Sequence, residues 1–101
     1  MANLRFRVSV LIPVRNNAAT LANAIESILV QDFRDFELIV IDDGSVDGSD
    51  AIASCFSDPR VKVIRNEGHG ISDALNVGIA HSRCEYIARM DGDDIAVQDR
   101  L

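Results

Sequence analysis

Apolar, β-branched runs of strand length recur along this chain, and between them the apolar residues space out to a helical period. Residues 8–14 (VSVLIPV), 36–41 (FELIVI), 61–64 (VKVI) and 86–90 (YIARM) read as strands. The first two are apolar at nearly every position, as strands covered on both faces must be. Leu21, Ile25, Ile28 and Leu29 mark one face of a helix over 18–31. A short helix is expected from about Asp50, with Ile52, Cys55 and Phe56 turned inward and Asp58-Pro59 stopping it. Gly68-His69-Gly70 then bends the chain into a third helix, with Ile71, Leu75, Gly78 and Ile79 sharing a face. Asn17 stands where an N-cap is expected, and Pro13, which has no N–H, is expected to end the first strand's ladder. Strands alternating with helices mean βαβ units: an α/β fold with a parallel sheet and right-handed crossovers.

Ligands of such sheets bind beyond the carboxyl ends of the strands. Three polar clusters fall at those ends: Arg15-Asn16 after the first strand, Asp42-Asp43 after the second, and Asp91-Gly92-Asp93-Asp94 after the fourth. They are expected to converge on one rim. Asp91 and Asp93 are two residues apart, so in an extended segment both side chains leave the same face, and Gly92 lets the backbone approach a ligand closely. Hard divalent ions, Mg²⁺ or Mn²⁺, prefer oxygen ligands of this kind. A solvated acidic turn is the plain alternative for that stretch alone. The convergence of three clusters on the ligand-binding edge favours a site.

At 101 residues the chain is one domain at most, and 48% hydrophobic with 26% charged residues is the composition of an ordinary globular protein. A net charge of −6 argues against a nucleic-acid surface, which needs clustered Lys and Arg. Of the ten basic residues only Lys62 is a lysine. Arginine suits bidentate pairing with carboxylates or phosphates. Cys55 and Cys84 have no metal-ligand spacing and read as buried small hydrophobes in a reducing compartment. No signal peptide and no apolar run of membrane-spanning length occurs, so the expected location is cytoplasmic, with attachment at a membrane surface open to a longer chain. From Asp43 the chain begins like an EF-hand loop, but the twelfth position is Ser54 in place of the bidentate Glu. Neither a GxGxxG after the first strand, a GxxxxGK(S/T) loop nor a GxSxG elbow is present. His69 is a candidate for substrate contact, and His81 is expected on an exposed helix end.

The blocks 8–16, 24–31, 36–45 and 91–94, in this order and at these separations, resemble the family-2 inverting glycosyltransferases of the GT-A fold, and the resemblance covers nearly the whole chain. It implies a Rossmann-like three-layer α/β/α arrangement with a mainly parallel sheet, of which this chain is the N-terminal part. By that resemblance Pro13, Val14 and Arg15, with Asn16 following, match the loop beside the nucleotide base, and Asp43, next to Asp42, matches the acid that hydrogen-bonds base or ribose. Asp91-Gly92-Asp93 matches the DxD motif that holds Mn²⁺ or Mg²⁺ against the diphosphate of a nucleotide sugar, with Asp94 as a further ligand. Residues 70–78 match the block after the third strand, where Asn76 keeps the family's polar residue.

Two positions depart from the family pattern. Arg15 stands where an aromatic residue is common, and Leu75 where an Arg often precedes the Asn. The resemblance implies transfer of a sugar from a nucleoside diphosphate to a saccharide, lipid-linked saccharide or protein acceptor, as in cell-surface polysaccharide synthesis. The family's general base lies beyond the DxD strand, so it is expected past Leu101, and residues 1–101 alone are expected to be inactive and to self-associate as a homodimer beside the fourth strand. A non-catalytic nucleotide- or metal-binding module is the alternative. A purely structural α/β interaction domain would leave the three rim clusters unexplained.

Overall fold

A computed structural model describes residues 8–31, 35–67, 70–84 and 86–90. Strands and helices alternate throughout: β1 (Val8–Val14), α1 (Ala18–Leu29), β2 (Phe36–Asp43), α2 (Ser49–Ser54), β3 (Val61–Asn66), α3 (Ile71–His81) and β4 (Tyr86–Arg89). The strands form one sheet in the order β3-β2-β1-β4, and every pairing is parallel. The expected βαβ succession is therefore present, with β2 and β3 each running two residues past the expected ends.

Strand order decides where the helices go. The first two connections step outward from β1 to β2 to β3, and the third returns across both to β4. Right-handed crossovers then place α1 and α2 on one face and α3 on the other. The packing agrees. Val10, Ile12, Val14, Leu38 and Val40 meet Leu21, Ala24, Ile25 and Ile28 of α1 and Ala53 of α2. On the opposite face Leu11, Ile39 and Ile41 meet Ala74 of α3. All of β2 is buried because it has a neighbour on each side and helices on both faces. Each large aliphatic side chain sequestered there contributes about 1.5–3 kcal/mol.

Several elements differ from the sequence-based expectation, each for a local reason. Pro13 does not end β1, since it stands opposite Ile41 in register with β2. Met90 donates its N–H to the Leu11 carbonyl (3.0 Å), and a strand's backbone groups alternate sides, so the N–H that Pro13 lacks would point toward β4's side past Leu11, the last β1 residue paired with β4. In α3 Leu75 packs on the core and Gly78 is buried, as expected, but the fully buried stripe is the small pair Ala74 and Gly78, and Ile71 and Ile79 are half exposed (50% and 49%). The small stripe faces inward because α3 lies close on the sheet: a Cβ added at Gly78 would stand 2.8 Å from Ile41 Cδ1 and 3.2 Å from Leu11 Cδ2. Cys55 follows the last residue of the short α2 and is exposed, and Cys84 is half-buried, so neither is the buried hydrophobe expected. The α1 helix stops at Leu29, and Gln31, buried beyond it, turns its Nε2 back onto the Ser27 carbonyl (3.0 Å), satisfying a helix-end acceptor.

At the amino-terminal edge of the sheet a buried carboxylate anchors the segment that enters β4. Glu37 Oε2 accepts from Ser9 Oγ (2.6 Å), the Arg83 N–H (2.9 Å) and Cys84 Sγ (3.8 Å), and Lys62 Nζ stands 3.8 Å from Oε1. A charge removed from water needs such partners.

Candidate functional site

β1 and β2 end at the same height, with Val14 opposite Asp42, and β3 ends beside them with Asn66 opposite Asp43. Consecutive strand residues face opposite ways, so Asp42 lies on the α1/α2 side with Val40, and Asp43 on the α3 side with Ile41. Both are buried, at 0% and 3% exposure.

Both carboxylate oxygens of Asp43 have partners. Its Oδ1 accepts from Asn66 Nδ2 (3.0 Å) and its Oδ2 from the Gly70 N–H (2.9 Å). Asn66 Nδ2 also donates to Asp73 Oδ2 (2.9 Å) in the first turn of α3. Gly70 reaches this position at φ 103°, a backbone conformation that favours glycine. Asp42 is bound differently: Oδ1 accepts the Ser45 N–H (3.2 Å), while Oδ2 has no hydrogen-bond partner among the described residues.

The loops after β1 and β2 are joined by a second set of bonds. Asn16, at φ 57°, donates its N–H to Ser45 Oγ (2.9 Å), and its Oδ1 accepts the Val46 N–H (2.9 Å). The Asn17 N–H reaches Ser49 Oγ (3.0 Å) and the Ala18 N–H reaches Asp47 Oδ2 (3.0 Å). Asp47 Oδ1 accepts from Ser49 N–H (3.1 Å) and Ser49 Oγ (2.6 Å). Asn17 precedes α1 as expected but makes no side-chain cap; its Oδ1 takes the Arg15 N–H (3.1 Å), and the cap comes from Asp47 in the neighbouring loop. The Ser49 hydroxyl, with the Ala18 N–H, holds the Asp47 carboxyl below the ordinary carboxylate value.

Of the residues singled out in the sequence, Arg15 and Asn16 are exposed at this rim, Asp42 and Asp43 are buried at its base, and Pro13 and Val14 are buried beneath it. Asn76 is exposed in the middle of α3. Asp91, Asp93, Asp94 and His69 lie outside the described residues, although Met90, immediately before Asp91, is held beside Leu11 of β1. Among the described residues no three His, Cys, Asp or Glu side chains gather as a metal site would require. His81 is exposed at the end of α3, its Nδ1 2.9 Å from the Val77 carbonyl. Sequence reasoning missed Asn66, Asp73 and Asp47. The signal for Asp47 was its place in a Gly-Ser-Val-Asp-Gly-Ser loop rich in turn and capping residues; Asn66 and Asp73 gave none, because Asn66 is 23 residues from Asp43 and Asp73 joins the set through Asn66.

A carboxylate fixed by donors on its own protein side, at the carboxyl edge of a parallel sheet, is an acceptor suited to a donor-bearing ligand. No described helix is long and apolar enough to cross a membrane. Residues 9–101 match the family model described as glycosyl transferase family 2. The succinoglycan biosynthesis protein ExoO of Rhizobium meliloti (strain 1021) is 40% identical over 97 residues, which are 93% of this chain and 27% of that protein. Among solved structures, S. aureus TarS 1–349 in complex with UDP-GlcNAc superposes with a TM-score of 0.85 at 26% identity, over 92% of this chain and 28% of the other. A mannosyltransferase of Pyrobaculum calidifontis, in complex with GDP-Man and Mn²⁺, gives 0.83 at 26% identity over 90% and 28%. The chain thus spans under a third of the length of each.

Proposed function

The chain belongs to glycosyl transferase family 2, and from that membership and the geometry of its rim we propose that it is the donor-binding portion of an inverting, metal-dependent transferase using a nucleoside-diphosphate sugar. The observation that carries the reading is Asp43, buried at the end of β2 and oriented by Asn66 and Gly70 next to the tied Arg15–Asn16 loop. In this reading Asp43 accepts a hydrogen bond from the base or ribose, Asp42 supports the turn beside it, and Arg15 stacks on the base or pairs with phosphate. Pro13 and Val14 are buried, so in this reading they would underlie the loop and offer the nucleoside little surface. Asn76 offers a further polar contact from α3.

Asp91, Asp93 and Asp94 come soon after β4 in the sequence, and their carboxylates would supply the oxygen donors that Mg²⁺ or Mn²⁺ prefers. When bound, such a cation stabilises the negative charge gathered on the departing diphosphate. The GDP-Man and Mn²⁺ of the Pyrobaculum mannosyltransferase and the UDP-GlcNAc of TarS support this assignment. A saccharide, lipid-linked saccharide or protein is the acceptor class, and the name of the Rhizobium relative supports polysaccharide synthesis.

Calorimetry on the chain with UDP and GDP tests the site and the metal together. Affinity should depend on Mn²⁺ or Mg²⁺, because the acids otherwise repel the diphosphate. Asp43→Ala should weaken metal-free binding of a nucleoside monophosphate by about 1.5–3 kcal/mol, the range for hydrogen bonds to charged groups. Asp93→Ala should leave that component alone. Equal diphosphate affinity in excess chelator would remove the metal from the reading, and identical losses in the two variants would remove the division of labour.

A further inference from the structure

Apart from the bond from the Arg15 N–H to Asn17 Oδ1, the loop that carries Arg15 and Asn16 takes its shape from the next loop. Asn16 occupies the left-handed region at φ 57°, uncommon outside glycine although Asn adopts it more readily than most, and its two bonds both go to the next loop, at Ser45 and Val46. The following two N–H groups, of Asn17 and Ala18, also go there, to Ser49 Oγ and Asp47 Oδ2. Asp47 joins these contacts: one oxygen takes the first N–H of α1, and the other takes both the N–H and the hydroxyl of Ser49, which fixes that hydroxyl as the acceptor for Asn17. Gly48 at φ 90° permits the turn that brings the two residues together. Asp43 is held by a separate set of partners on the other face of the sheet, Asn66 and Gly70.

We propose that Asp47 is a positioning residue for nucleoside recognition: it sets the Arg15–Asn16 loop at the height where a base bound against Asp43 meets it, with Arg15 in its stacking role and not on phosphate. The inference rests on the reading of that rim as the nucleoside site. An exposed acid in a glycine-serine loop would otherwise have no bearing on binding. Here it touches no ligand and acts through the backbone of Asn17 and Ala18. Asn at this position keeps the oxygen that can accept from one side but loses the charge and the second acceptor, so Asp47→Asn should fall between wild type and Asp47→Ala.

The test uses the 101-residue chain and separates base from phosphate recognition. Uridine and guanosine, which carry no phosphate, probe the base side; pyrophosphate with Mn²⁺ probes the other. Asp47→Ala should weaken nucleoside binding roughly ten-fold, the equivalent of one hydrogen bond, and leave pyrophosphate–Mn²⁺ affinity unchanged. Amide exchange should quicken at residues 16–18 while β1 and β2 stay protected. Equal nucleoside affinity in wild type and Asp47→Ala would overturn the inference, as would a matching loss for pyrophosphate, which marks general loosening. If the alanine variant does not fold, Asp47→Asn is judged by the same two affinities. A wild-type chain that binds neither nucleoside removes the reading of the rim and the inference with it.

Discussion

Asp47 and Asp58 both titrate below the ordinary carboxylate value of 3.8, for different reasons. At Asp47 the Ser49 hydroxyl is the largest cause; at Asp58 it is the Arg60 guanidinium, which donates from Nε (3.1 Å) and Nη2 (2.9 Å) while reaching the Leu29 carbonyl (3.2 Å) and lying 4.5 Å over the Phe36 ring. A carboxyl whose folded value is depressed lends stability that is fully present above 3.8 and is lost as pH falls further, through the folded value. Urea midpoints should therefore drop between neutral pH and about pH 3, and the drop should be smaller in Asp58→Asn, which has no such carboxyl to protonate. The two thiols differ as well. Burial first, and then the Glu37 charge and hydrogen bond, push the Cys84 thiol up despite the opposing Ser9 hydroxyl, so it stays protonated at neutral pH. Cys55 is exposed. A maleimide reagent followed by peptide mass spectrometry should label Cys55 well before Cys84.

At the scale of the element, α3 shows how one small residue sets a packing distance. A methyl at Gly78 would meet Ile41 Cδ1 at 2.8 Å, with Leu11 Cδ2 and Ile41 Cγ1 also near, at 3.2 and 3.3 Å. All three belong to side chains that are fully buried. Gly78→Ala gains helix propensity of about 1 kcal/mol but must force α3 off the sheet or Ile41 out of its rotamer, which costs about 1–3 kcal/mol. The expected net result is lower stability. Ile41→Val removes the nearest carbon and alone costs about 0.5–1.5 kcal/mol. The double variant should be more stable than the sum of the two losses predicts, and a urea-unfolding double-mutant cycle measures that coupling. Simple additivity would mean that α3 is not limited by this contact.

For the whole molecule, the order β3-β2-β1-β4 leaves β4 without a second neighbour among the described residues. Tyr86 and Ile87 on it are 61% and 44% exposed, one on each face by their register with Val8 and Ser9. An unpaired strand with apolar residues on both faces tends to find another chain. We therefore expect the 101-residue chain to self-associate through β4, with two-fold pairing the simplest closed arrangement. Light scattering across a concentration series should show association that Ile87→Lys reduces. A wild-type monomer at every concentration would refute it.

The apolar runs and helical periods of this sequence were sufficient for the order of elements, the parallel sheet and the carboxyl edge at which Asp42 and Asp43 end, because side-chain period and chain polarity are local properties. The four blocks likewise carried the family. Which face of α3 is buried was legible only in part: Leu75 and Gly78 turn inward as expected, but Ala74 is buried with them and Ile71 and Ile79, which carry the strongest hydrophobic signal, are half exposed, since the spacing between helix and sheet is set by side chains on β1 and β2 that α3 meets only after folding. Pro13 looked like a strand end because the side of the ladder its nitrogen faces depends on where β4 stops. The partners of Asp43 and the cap of α1 were hidden for the same reason. Asn66 and Gly70 come from 23 and 27 residues away from Asp43, and Asp47 from 29 residues beyond Ala18. Such bonds arise when parallel strands end at one height and bring their following loops side by side, an arrangement that only the completed sheet provides.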